Sequence, residues 1–190
     1  MKFFRFFLLP LNLLAILLCA TSCGYKFSRS WHDAERPSLS IAYIEGDNEG
    51  ELAVALVKVL SSAGIFQYRP HGGDHLLKIK LIDFSDENIG FRYDRNNQGE
   101  VNVLVIPTEV RTTAQADVSV IEACSGRILF GPERVSAGYD YDYDNNVGND
   151  NVFSLGQLTD QDSAQEMSKK PLFYILAQKI LDMLVIVDHR

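Results

Sequence analysis

The most constraining stretch of this 190-residue chain runs from Thr108 to Ala123, where Ala114, Ala116, Val118 and Val120 alternate with Thr113, Gln115, Asp117 and Ser119. A strict period of two places every apolar side chain on one side of an extended strand. Such a strand belongs in an antiparallel sheet with one face on a core and one face in water. "CSGR" follows as a tight turn, with Gly126 free to take a positive φ. "ILFGPERVSAGYDYDYD" then returns as the partner strand. Gly131-Pro132 inside it demands a bulge or an edge position, because proline cannot donate to the ladder.

A one-sided sheet needs a second layer, and two amphipathic helices can supply it. Asn48 with Glu51 approximates a capping box, Leu52, Leu56, Val59 and Ala63 recur at helical spacing, and Gly64 closes the segment. Near the C-terminus Phe173, Leu176, Ile180, Met183 and Val187 mark a second apolar stripe. Its start is open: Ser163 with Glu166 forms a capping box but leaves Pro171 inside the helix, whereas a start near Ser168 does not.

Leu39 to Ile44 reads as a first strand, and "HLLKIKLIDF" as another, with Leu77, Ile79 and Leu81 opposite Lys78 and Lys80. "SDENIGFRYDRNNQGE" reads as an irregular, turn-rich connection, and Asn145 to Asp162 as a loop. The expected fold is therefore α+β: a two-layer sandwich with two helices on one face of a four-stranded sheet, in the order βαβββα. Hydrophobic residues make up 46% of the chain, enough for one real core, and no repeat or second core is evident.

The first 22 residues read as a signal peptide. Lys2 and Arg5 give a positive start, Phe6 to Leu18 an apolar middle broken by Pro10 and Asn12, and Ala20-Thr21-Ser22 a small-residue end. The apolar run is short for a membrane span. Cys23 follows Ser22, so cleavage after Ser22 with lipidation of Cys23 is the expected processing; Cys19, after Ile16-Leu17-Leu18, is a poorer choice. A plain secretory cleavage and a retained anchor are the competing readings. Two or more acyl chains on one cysteine turn marginal membrane binding into stable anchoring. Residues 23–190 then form one domain, with 23–37 as a tether.

Without Lys2 and Arg5, 16 basic residues face 25 acidic ones, a net −9. So acidic a body is a poor ligand for nucleic acid. Cys124 is the one thiol beyond the anchor region, so no internal disulfide forms.

No pattern points to catalysis or a cofactor. His71 and His75 flank Gly72-Gly73, which opposes the helix that a four-residue His pair needs for zinc. Asp140, Asp142 and Asp144 have the spacing of a calcium loop, but Asn145 and Asn151 stand where its glycine and glutamate belong. The same alternation on a strand puts Tyr139, Tyr141 and Tyr143 in a row, a candidate partner-facing surface or a plain strand end. Arg92, Arg95, Arg111 and Arg134 are candidate contacts for acidic lipid head groups, since arginine pairs bidentately with phosphate.

Taken in order, the small-residue end before Cys23-Gly24-Tyr25, "NEGELAVALVKVLSSAGIF", "GGDHLLKIKLIDF", "PTEVRTTAQADVSV", "SGRILF", "RVSAGYDY" and a C-terminal helix resemble the LptE family of lipopolysaccharide-assembly lipoproteins. The resemblance spans essentially the whole processed chain, and the order of the motifs is its specific part. Leu129-Phe130 stands where the family has an aliphatic residue and tryptophan, and Ser85 to Val103 has no counterpart. The resemblance implies a non-catalytic lipoprotein on the periplasmic face of the outer membrane. Its implied partner is a β-barrel translocon (LptD-like) that exports lipopolysaccharide, with lipopolysaccharide itself a further ligand. The alternative is a periplasmic lipoprotein that binds a small ligand alone.

Overall fold

The computed structural model describes residues 36–95, 98, 100–143 and 160–188; Cys23 and the rest of the segment before residue 36 lie outside these. The described unit is a five-stranded mixed sheet with two helices, in place of the expected four strands and βαβββα order. The elements are β1 (Ser38–Ile41), α1 (Glu51–Ala63), β2 (Gln67–Tyr68), β3 (His75–Arg95), β4 (Val101–Glu122), β5 (Ile128–Asp142) and α2 (Gln161–Asp188). The additional strand, β2, is two residues long and pairs in parallel with β1. Two residues carry no periodicity, so nothing in the sequence distinguishes β2 from a loop.

Strand order across the sheet is β2-β1-β3-β4-β5. β1 also runs parallel to β3, with Leu39 opposite His75 and Ile41 opposite Leu77. β3–β4 and β4–β5 are antiparallel. Along β4 the even-numbered residues Val110, Ala114, Ala116 and Val118 are buried. Ala114, Ala116 and Val118 meet Leu77 and Ile79 of β3, Val135 and Ala137 of β5, Leu52, Leu56 and Leu60 of α1, and Leu172, Leu176 and Ile180 of α2 in one core, while Val110 belongs to a second, smaller cluster. The opposite face carries Lys78, Lys80, Thr113, Gln115, Asp117 and Ser136 and, among the described residues, no helix.

α1 starts differently from the expected Asn48–Glu51 box. Gly50 takes the N-cap position with φ 74° and offers no side chain. Asp47 substitutes for it: its buried carboxylate accepts the Ala53 N–H at 2.9 Å. Gly64 closes α1 with φ 65°, and Gly126 takes φ 70° in the hairpin turn, both as the sequence indicates. α2 begins at Gln161, with Asp160 Oδ1 accepting the Ser163 N–H at 2.8 Å, and it runs through Pro171 without ending.

β5 is the outer strand of the sheet. The Gly131-Pro132 peptide is cis, and the register slips opposite it between Val118 and Val120. A Cβ on Gly131 would stand 2.4 Å from the Val118 carbonyl oxygen, so only glycine fits there. Lys179 Nζ of α2 donates to the Ser136 carbonyl at 2.7 Å.

β3 enters the sheet beside a small polar network. Ser38 Oγ donates to the Asp74 carboxylate and accepts the Asp74 N–H at 2.8 Å. Ser40 Oγ accepts the Gly73 N–H, also at 2.8 Å. Both serines are buried, so these bonds satisfy groups that water cannot reach.

Candidate functional site: the outer end of the β3–β4 ribbon

The stretch expected to be an irregular connection, Ser85 to Glu100, is mostly strand. β3 runs 21 residues and β4 runs 22, far beyond the part of the sheet the helices cover. β1 leaves β3 after Leu77 apart from a bridge at Glu45–Lys80, and β5 leaves β4 at Glu109. Past that point β3 and β4 continue as a two-stranded ribbon among the described residues, with Phe91 opposite Pro107 and Tyr93 opposite Val105. Register slips interrupt the two-residue period along this ribbon, and that is why its sequence reads as turn-rich.

The β3–β4 register slips at four places: Ile82 and Ile89 are skipped on β3, Thr108 is skipped on β4, and a further shift lies between Tyr93 and Arg95. Gly90, next to the second bulge, lies so close to β4 that a Cβ there would stand 2.5 Å from Glu109 Cβ. Beyond it the helix-free face turns apolar: Phe91 is 58% exposed, Tyr93 65% and Val105 50%. Tyr93 and Val105 stand opposite each other there, next to the Phe91–Pro107 pair.

The arginines named from the sequence do not form a free cationic group. Arg111 Nε and Nη2 each donate at 2.7 Å to the two oxygens of Asp140, across β4 and β5. This bidentate bond holds Arg111 above its usual pKa and Asp140 below its own. Arg134 forks onto Asp117 at 3.0 and 3.4 Å and is likewise raised by that hydrogen bond. Arg92 is half-buried and has a partner of its own, and the Arg95 side chain lies outside the described residues. On Arg111 and Arg134, two of the candidate contacts for a lipid head group, neighbouring carboxylates occupy the guanidinium forks.

The tyrosine row alternates with its carboxylates as expected, but the tyrosine side is the covered one. Tyr141 is 8% exposed and Tyr143 3%, and both pack with Val110 and Ala164; Tyr139 is half-buried beside them. As a partner-facing surface the row is closed off in this structure by the N-terminal part of α2. The carboxylate side, with Asp140 and Asp142, faces outward, and Asp144 lies outside the described residues.

Sequence reasoning missed Phe91, Tyr93 and Val105. Their signal was the spacing of Phe91 and Tyr93 within the polar run, two aromatic residues on one side of an extended chain. Cys124 sits exposed in the β4–β5 turn. A cleft of about 380 Å³ opens between the Gly46–Glu49 loop, β3 and α2, with Asp47, Glu49, Phe84, Gln165, Lys169 and Phe173 in its lining. Phe84 and Phe173 meet edge to face in it, 5.5 Å between ring centres. No described helix is long and apolar enough to cross a membrane.

No family model and no curated protein matches the sequence. Among solved structures, a lipoprotein from Caulobacter crescentus aligns with TM-score 0.51 at 14% identity, covering 83% of this chain and 96% of that one. A minor lipoprotein from Acinetobacter baumannii aligns with TM-score 0.46 at 15% identity, over 78% of this chain and 91% of that one. The rare lipoprotein B of Shewanella oneidensis aligns with TM-score 0.41 at 15% identity, over 80% and 96%. The fold of this chain is that of the Caulobacter protein.

Proposed function

We propose that this chain is a non-catalytic outer-membrane lipoprotein, cleaved after Ser22 and lipidated at Cys23, that partners a β-barrel translocon exporting lipopolysaccharide. The observation that carries this reading is the order of motifs along the processed chain, set on a fold shared with a bacterial lipoprotein. The exposed apolar end of the ribbon supports a docking role, because Phe91, Tyr93 and Val105 offer apolar contact area. Lipopolysaccharide contact is the weaker half of the reading, since Arg111 and Arg134 are committed to carboxylates. Mild detergent extraction and co-purification test the partnership: an abundant β-barrel recovered with the full chain supports it, and recovery of the chain alone overturns it.

The cleft between the Gly46–Glu49 loop and α2 favours a second reading, a stand-alone periplasmic lipoprotein for a small ligand. A stable monomer of residues 24–190 that binds one small molecule tightly would select it over the first.

A further inference from the structure

α2 serves two separate apolar clusters, and Pro171 marks the boundary between them. After it, Leu172, Phe173, Leu176, Ala177, Ile180 and Leu184 enter the main core. Before it, Ala164 alone of this helix enters the second cluster, with Val110, Tyr141 and Tyr143. Pro171 has no N–H to give the Met167 carbonyl, so a rung of the helix is missing at the boundary, and its ring crowds the preceding turn. Ser168 Oγ donates back to the Gln165 carbonyl at 2.6 Å, a bond that bends helices.

We propose that residues 161–170 form a strap that swings open about Pro171 while the rest of α2 stays in the core, uncovering Val110, Tyr141 and Tyr143. The closed state is held by little. Ala164 and Ser168 are the buried residues of this segment, and Met167 is 71% exposed. The remaining hold is polar. Asp86 on β3 accepts the Thr112 hydroxyl and the Gln165 side-chain amide, each at 2.6 Å, so one carboxylate ties the strap to the base of the ribbon. Lys169 pairs with Glu166 at 2.6 Å inside the strap and lies 3.9 Å from Glu49.

The covered face bears the mark of a second arrangement. The Tyr141 hydroxyl is buried and, among the described residues, has no hydrogen-bond partner of good geometry, although it lies beside Thr112, whose own proton is committed to Asp86. Burial, and then the Asp86 charge, hold this hydroxyl above the usual tyrosine pKa. Leaving a buried hydroxyl unpaired is costly, and opening relieves that cost. The uncovered face offers two tyrosines, side chains that supply large contact area with a polar end. The strap is thus a cover over an aromatic surface, and it stands independently of what the chain partners.

Hydrogen exchange on the full chain tests this. Amides of residues 163–170 should exchange through an opening that leaves residues 173–184 protected. Asp86→Ala should speed exchange of the strap about tenfold or more, with residues 173–184 unchanged. Gln165→Ala, an exposed position with no folding risk, should act in the same direction. Pro171→Ala should restore the missing rung and slow the strap toward the rate of residues 173–184. A single common rate for both segments in the unaltered protein overturns the proposal. So does equal acceleration of both by Asp86→Ala, or a strap unaffected by Gln165→Ala and Pro171→Ala.

Discussion

Gly90 and Glu109 face each other across the ribbon so closely that a Cβ on Gly90 would stand 2.5 Å from the Cβ of Glu109 and 2.7 Å from its Oε2. The contact sits at the second bulge of β3, where the ribbon leaves the three-stranded part of the sheet. Gly90→Ala should therefore shift the register beyond the bulge, at a cost of about 1–3 kcal/mol locally. Amides of Phe91 to Tyr93 should lose exchange protection while those of Leu77 and Ile79 keep theirs. Equal loss in both places would mean the ribbon is not a separable extension.

Ser40→Ala should destabilise the whole unit by about 1–3 kcal/mol, because it leaves the Gly73 N–H buried without an acceptor. Chemical denaturation reads this directly. The reciprocal change Gly73→Ala should be worse, since a Cβ there would stand 2.6 Å from Ser40 Oγ and 2.8 Å from the Ser40 backbone nitrogen.

Core and ribbon should separate cleanly in a mutation series. Leu176→Ala, at a fully buried position, should cost about 2–5 kcal/mol. Phe91→Ala and Tyr93→Ala should change stability by less than about 0.5 kcal/mol, as exposed positions do. On the proposed function the same two ribbon changes should weaken recovery of the β-barrel, whereas a ribbon without a docking role would leave that recovery intact.

Acid sensitivity follows from three carboxylates. Asp74 is held below its ordinary pKa near 3.8 mainly by the Ser38 hydroxyl, Asp140 by Arg111 and Asp160 by the Ser163 backbone N–H. Each therefore binds its proton more weakly folded than unfolded, so its stabilisation is complete above the ordinary value and lost as pH falls through the lower folded one. Thermal unfolding midpoints should be flat across neutral pH and drop below about pH 4. Asp160→Asn should keep the cap on α2 yet make that drop shallower, because asparagine caps as well as aspartate and does not titrate. An unchanged acid limb in this variant would remove Asp160 from the account.

Much of this architecture was legible in advance wherever a residue pattern had to satisfy a core. Ala114 through Val120 announced the covered face of β4, and Gly64 and Gly126 announced two left-handed turns. Patterns outside the core were harder to read. Phe91 and Tyr93 sit in a polar run on the exposed face of the ribbon, where no core packing fixes the pattern. The alternation of Tyr139, Tyr141 and Tyr143 with Asp140 and Asp142 was correct, but which side met α2 depended on a helix far along the chain. Asp47 was missed as the N-terminal acceptor of α1 because its reach to Ala53 spans six residues, outside any local capping motif. Carboxylate partners for Arg111 and Arg134 likewise depended on strand register.

The outermost strand, β5, has its own lesson. A bare row of peptide groups along a sheet margin invites copies to zip together, most of all for molecules crowded onto one surface, as the proposed lipid anchor would crowd these. Pro132 offers no N–H to an incoming chain, and the ammonium of Lys179 already occupies the carbonyl of Ser136. An incoming strand would therefore meet two obstacles along this margin.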